Sequence, residues 1–344
     1  MFRSTTGRRA RRSTLALLTG TAVAALLSVS SAGAAPVQDR SEVGVSARTD
    51  VYIKDVSADL GYQPHSYDPL WKSPDIKVCP TAIECAVSQN PRVGVTNYIF
   101  VKLRNPGPYG TGTDNGTLRV YRTTPGGGAN WPGAWTQIGA VSVPVFAGVT
   151  TVTIPWNGVP GPGHFCLLAR WVSPTDPFTF EGPSISTNVR HNNNIAWRNV
   201  DSVYVLVGGP IVWRPFAIGN PLTTAARSSV TFRQTGTGFQ NAGGRLVVDL
   251  GPTLTERWLA GGAVGKGIRQ VGQTQFEVLD PATASIDNLL LNGGERVEFG
   301  LNFTAAALTT EKASIDVIQV GPDVTGEERA DLGGVQYDIT VGRQ

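Results

Sequence analysis

Val297-Glu298-Phe299-Gly300-Leu301-Asn302-Phe303 alternates apolar with polar or small residues without a break, and that period of two decides the fold class. Successive side chains of a strand point to opposite faces, so such a segment buries one face and wets the other. Val335, Tyr337, Ile339 and Val341 repeat the pattern near the C-terminus, as do Leu118 and Val120 between Arg119 and Tyr121. Clusters that interrupt strand pairing lie between these runs: Asn105-Pro106-Gly107-Pro108, Pro125-Gly126-Gly127-Gly128 and Asn292-Gly293-Gly294. A single helical stretch stands out, Thr253 to Leu259, stopped by Gly261-Gly262. The expectation is an all-β protein built of antiparallel sandwiches.

Composition agrees and narrows the choice. The chain has 344 residues with 41 Gly, 23 Pro and 16% charged side chains, which excludes collagen, coiled coil and a charge-driven disordered tail. That length exceeds what one sandwich needs, so two immunoglobulin-like sandwiches in tandem are expected, at 48–207 and 211–344. Val207-Gly208-Gly209-Pro210 marks the boundary, because its residues interrupt pairing between strand signals. Residues 35–47 are polar and featureless, as in a flexible segment.

Residues 1–34 have the parts of an export signal: Arg3, Arg8, Arg9, Arg11 and Arg12, then an apolar stretch from Leu15 to Leu27, then Ala32-Gly33-Ala34. The apolar stretch is too short to span a bilayer stably, and no later run is longer. Removing those five arginines takes the formal charge from +3 to −2, which argues against a nucleic-acid partner. The reading is a secreted, extracellular protein, exported by the general route or, given Arg11-Arg12-Ser13-Thr14-Leu15, by the twin-arginine route. In an oxidising compartment Cys79 and Cys85 could close the short loop Pro80–Glu84 as a disulfide. Cys166, in the run Phe165-Cys166-Leu167-Leu168-Ala169, is either a buried small hydrophobe or a partner for one of the others.

Residues able to carry chemistry are few. His65, His164 and His191 form no close-spaced zinc pair, and no serine sits in a G-x-S-x-G elbow. Gly261-Gly262-Ala263-Val264-Gly265-Lys266-Gly267 imitates a phosphate loop but lacks its first glycine and its hydroxyl. Asp55, Asp59, Asp68 and Asp75 are the densest acidic group, either calcium ligands without EF-hand spacing or solvated turn residues. Calcium is the one cofactor the sequence admits. Trp131 and Trp135, in the loop Asn130-Trp131-Pro132-Gly133-Ala134-Trp135, are the ligand-binding candidates, able to stack on a sugar or to cap a sandwich end. Asn192, Asn193 and Asn194 suit a structural turn, since Asn side chains bond nearby backbone groups and tolerate left-handed φ.

The first half also resembles a known family. Thr96 to Asn105 with Pro106-Gly107, Val149 to Trp156, Gly163-His164-Phe165-Cys166-Leu167-Leu168-Ala169-Arg170 and His191-Asn192-Asn193-Asn194 fall in the order of the CARDB group. That group is the cell-adhesion-related, immunoglobulin-like sandwich of exported bacterial proteins. Trp71-Lys72-Ser73-Pro74-Asp75-Ile76 and Asn193 to Val200 resemble a larger subtype used as a module in long exported proteins. The resemblance implies an adhesion or binding role. The chain departs from it before the Asn run, where Thr187-Asn188-Val189-Arg190-His191 stands in place of the usual acidic residues. The second half is only generically immunoglobulin-like, with Gly293-Gly294-Glu295-Arg296 leading into an alternating strand.

Two function classes follow. One is a non-catalytic exported protein whose loops meet a protein, a cell-envelope component or a glycan. The other is an extracellular hydrolase, or its accessory module, acting on a polysaccharide or protein. A histidine, a carboxylate and a serine in one cleft would favour the second; dispersed histidines with Trp131 and Trp135 exposed together would favour glycan binding. N-terminal sequencing of the exported product is expected to begin at Ala35, and a retained Met1 would count against export.

Overall fold

The computed structural model describes residues 48–343; the expected leader at 1–34 and the segment 35–47 lie outside the described residues. In the first half the chain forms β1 (Ile76–Cys79), β2 (Asn97–Asn105), β3 (Asp114–Thr123), β4 (Thr136–Val145), β5 (Gly148–Trp156), β6 (Cys166–Val172), α1 (Ile185–His191) and β7 (Ile195–Arg198). These strands pair as β1-β2-β5 and β4-β3-β6-β7, and the two sheets pack face to face. The second half contains β8 (Val200–Leu206), β9 (Val212–Gly219), β10 (Ala226–Thr235), α2 (Gly238–Asn241), β11 (Arg245–Asp249), α3 (Gly251–Ala260) and β12 (Gly265–Lys266). It continues through β13 (Ile268–Gln270), β14 (Gln275–Val278), β15 (Ser285–Leu291), β16 (Arg296–Thr304), β17 (Ala313–Gly321) and β18 (Ala330–Gly342). Its sheets are β12-β15-β10-β17-β18-β8 and β13-β14-β11-β16-β9.

The alternating run that announced the fold is β16. Phe299, Leu301 and Phe303 enter the second core with Val335, Tyr337, Ile339 and Val341 of β18. Gly300, on the opposite face, is covered by the Trp213 ring, whose Nε1 would lie 2.5 Å from an added Cβ. The expected helix is α3, with Leu254 and Trp258 turned into the core. Helix α1 was not anticipated. Its N-terminus is capped by Ser184, whose side chain accepts the Thr187 N–H, and Asn192 ends it.

The changeover between sandwiches lies earlier than the expected boundary at 207–210. Strand β8 pairs in parallel with β18, from Val200 beside Gln336 to Leu206 beside Gly342, so it belongs to the second sandwich. Val203 and Val205 bury in that core, and Val207–Pro210 leads on from β8 to β9 within the same body. Breakers in a sequence mark a turn; they do not say whether that turn divides domains.

What joins the two halves begins at β6. Leu167, Ala169 and Trp171 face the first core, while Cys166 and Leu168 face the other way into a further apolar cluster. That cluster holds Leu70, Trp71, Trp135, Ile185, Val189, Ile195 and Trp197 from the first half and Ile318 from β17. A sheet buried on both faces reads as a continuous apolar run, which is why β6 does not alternate. The indoles of Trp71 and Trp197, both fully buried, reach the adjacent residues Gly334 and Gly333 of β18. An added Cβ on Gly333 would fall 2.2 Å from Trp197 Cη2, and its φ of +120° is one that side chains rarely adopt. Beside them, Pro125–Gly128 runs along β9, with Ala217 N–H donating to the Pro125 carbonyl at 2.8 Å and Gly127 N–H to Ala217 at 2.9 Å. Polar contacts edge the seam: Lys72 to Asp316 at 2.7 Å, and Trp71 Nε1 donating to Asp331 at 3.2 Å.

Gly333→Ala should therefore cost about 3 kcal/mol in denaturant unfolding, since a clash in packed surroundings and backbone strain act together. Gly133→Ala, with nothing within 4 Å of the new methyl, should stay within about 0.5 kcal/mol of wild type. Equal effects would contradict a tight seam.

Candidate functional site

The Asn192-Asn193-Asn194 run builds the most developed surface site among the described residues. All three side chains are buried at the end of α1. Asn192 Oδ1 accepts the Thr179 N–H at 2.7 Å, and its Nδ2 donates to the carbonyls of Phe180 and Asn188, each at 2.7 Å. Asn193 Nδ2 donates to Asp50 Oδ1 at 2.9 Å and to the Gly61 carbonyl at 2.8 Å, and its backbone N–H donates to Gln63 Oε1. Asn194 Nδ2 donates to the Asp176 carbonyl at 3.1 Å. Each Asn thus ties a different stretch, 179–180, 61–63 with Asp50, and 176, by supplying partners to backbone groups that a loop leaves unpaired.

Those stretches wall an open groove of about 320 Å³ lined by Gln63, Tyr109, Thr175, Asp176, Thr179 and His191, together with Arg48 and Asp50. Tyr109 is pinned from three directions. Its N–H donates to Asp50 Oδ2 at 2.6 Å, its hydroxyl donates to the Gln63 carbonyl at 2.9 Å, and it accepts the Gln63 N–H at 2.8 Å. The Tyr62 ring stands edge-on to it, centroids 6.3 Å apart, and the two rings are 58% and 46% exposed. Asp176 Oδ2 accepts the Val51 N–H at 2.9 Å. Burial pushes the Asp176 carboxyl up to about 7, and the charges of Asp50 and Asp114 add to the shift. Sequence reasoning passed over Tyr62 and Tyr109. The available signal was an aromatic set in a turn, as in Gly61-Tyr62-Gln63-Pro64 and Pro108-Tyr109-Gly110.

Of the two readings of Trp131 and Trp135, joint exposure is not what the structure has. Trp135 is buried and meets Trp197 edge-on at 6.2 Å. Trp131 is half-buried, with the Arg170 guanidinium 4.1 Å from its ring centroid and Tyr121 packed edge-on at 5.0 Å. Its Nε1 donates to Glu181, which also pairs with Arg170. The loop closes over an apolar cluster that needs these rings, so they cap the body rather than face a ligand.

The four aspartates are also separated in role. Asp55 is fully buried and meets His65 Nε2 at 2.8 Å; Asp59 accepts the N–H groups of Asp55 and Gly61. Asp75 holds Arg104 through both carboxylate oxygens, at 2.7 and 2.8 Å, while Asp68 is exposed near Arg233. Among the described residues no three His, Cys, Asp or Glu side chains are grouped to hold a metal. Cys79 and Cys85 are bonded as a disulfide, and Cys166 is buried and unpaired.

The histidines are dispersed, though two of them sit beside an aspartate. His65 also accepts the Tyr67 N–H at Nδ1, so both ring nitrogens are engaged and neither is available to Ser66, which lines the same cleft. His164 Nδ1 lies 2.9 Å from Asp201, which also takes Arg214 and Asn90. Ser88 lines the cavity there, but its hydroxyl accepts the Val78 N–H, and the cavity, at about 20 Å³, holds little more than one water. His191 packs on Phe180 at the rim of the groove.

No protein-family model matches the chain, and no curated protein matches it in sequence. Among solved structures it is similar to the CupB6 tip adhesin from Pseudomonas aeruginosa, at 9% identity and a TM-score of 0.21, covering 78% of this chain and 99% of that one. The collagen adhesin CNA from S. aureus matches at 9% and 0.23, covering 77% and 91%. Red sea bream transglutaminase matches at 11% and 0.21, covering 78% of this chain and 31% of the transglutaminase. Likenesses this remote carry no argument about activity or partner.

Asp55, Asp176 and Asp331 all have carboxyls raised to about 7, with burial the largest cause in each. Their unfolded values lie near about 3.9, so the folded state keeps protons that the unfolded chain releases. The resulting stabilisation is complete below the unfolded value and is lost as pH rises through about 7. The melting temperature should therefore fall from about pH 4 to about pH 7 and level off above that, and Asp176→Asn should flatten that fall. Calorimetry across that window checks it, and a rising melting temperature would contradict the assignment.

Proposed function

We propose that the protein is an exported, non-catalytic binding protein that presents the groove at the end of its first sandwich to a partner outside the cell. The observation that carries this reading is an open groove lined by the exposed Tyr109, with Tyr62 packed against it, and held by hydrogen bonds from three buried asparagines. Rigid recognition groups lose little freedom when a partner arrives, which favours binding. The leader-like segment, the Cys79–Cys85 disulfide and the CARDB resemblance of Thr96–Asn105 and Gly163–Arg170 support an extracellular, adhesion-type role. Among the described residues no helix is long and apolar enough to cross a membrane.

One observation favours the hydrolase alternative, the His164–Asp201 contact beside Ser88. A general base must reach its nucleophile, and Ser88 makes no hydrogen bond to His164.

The test is a pull-down from envelope fractions with purified protein, run beside hydrolase assays on polysaccharide and protein substrates. Retention of a partner by wild type and by His164→Gln alike, with no turnover, is the expected result. Turnover abolished by His164→Gln would replace this reading with the hydrolase.

A further inference from the structure

We propose that the groove takes a neutral saccharide, with a sugar ring stacked on Tyr62 and Tyr109 and its hydroxyls bonded along the groove floor. The inference rests on the binding reading above and names the ligand class of the same site. Its first support is unspent hydrogen-bonding capacity. Among the described residues Gln63 Nε2, Asp176 Oδ1, the His191 ring and the Arg48 guanidinium make no hydrogen bond, and all belong to residues lining the groove. They mix donors with an acceptor, which matches hydroxyls, since each hydroxyl both donates and accepts.

Other ligand classes fit less well. An anion would meet one cation, Arg48, against Asp50 and Asp176. A lipid or apolar peptide would have to desolvate Arg48, Asp50, Asp176 and His191 along with covering Pro64, Pro177 and the Tyr109 ring. A quaternary or lysine cation prefers ring faces that converge, whereas Tyr62 and Tyr109 meet at 87° and offer one face and one edge. A sugar suits that corner: its apolar C–H face lies on one ring, and its hydroxyls turn toward the floor. Tyr109 is already held by Asp50 and Gln63, so stacking on it orders little that is not ordered in the free protein.

The experiment screens the wild-type protein on an array of neutral oligosaccharides and measures the best binder by calorimetry. Tyr62→Ala removes an exposed ring, and Asp176→Asn keeps an oxygen for the Val51 N–H; each should weaken binding roughly tenfold. Phe146→Ala, equally exposed at 61% but outside the groove, should leave the affinity unchanged, and melting temperatures verify that all variants fold. An array blank for neutral sugars overturns the saccharide. Saccharide binding that survives both Tyr62→Ala and Asp176→Asn within about twofold overturns the site. Either failure leaves the binding reading standing if envelope fractions still yield a retained partner, and that reading falls separately if they do not.

Discussion

Trp71 and Trp197 lie against a stretch of β18 where two successive residues have no side chain, and much of the molecule follows from that contact. For the indoles to reach the strand, β6 and β7 must be covered on their second face, so Cys166, Leu168, Ile195 and Trp197 become core. The outer face of β17 must then be apolar where it meets them, as at Ile318, which a free-standing sandwich would have left polar. Pro125–Gly128 closes alongside β9 and covers part of an edge that would otherwise present unpaired backbone groups. The described residues, 48–343, accordingly belong to one compact unit, although they contain more than one sandwich.

The groove depends on a different device. Asparagine carries a donor and an acceptor on one short arm, so a run of three can hold the connection between β6 and α1 at two points and the 50–63 segment at a third. Burial makes those bonds count, because an amide lost from such a position leaves its partners unsatisfied. Loops fixed in this way keep polar side chains available at the surface while their backbones stay still.

Much of the fold was legible in the sequence wherever one face of a strand is wet. β3, β16 and β18 alternate because solvent selects one side, and α3 reveals itself through its glycine stop. Legibility fails where tertiary contacts replace solvent: β6 is apolar on both faces, and the Val207–Pro210 turn resembles a linker until β18 is seen to pair with β8. The same limit applied at the site. Trp131 and Trp135 could be read as ligand contacts or as caps because nothing local reveals the cluster beneath them, while Tyr62 and Tyr109, 47 positions apart by residue number, are brought together through Asp50, Gln63 and Asn193. The Cys79–Cys85 pairing was readable because a short loop leaves little choice.

Cys166 gives the seam a chemical consequence. Its sulfur lies in the apolar cluster, 3.5 Å from the Thr124 carbonyl, and burial pushes the thiol up to about 11. Thiol exchange proceeds through the thiolate, so this odd cysteine stays inert in an oxidising medium and spares the molecule accidental crosslinks to its own copies. That immunity lasts only while the sandwiches remain docked, which makes the sulfur an internal tell-tale whose alkylation rate would clock their parting.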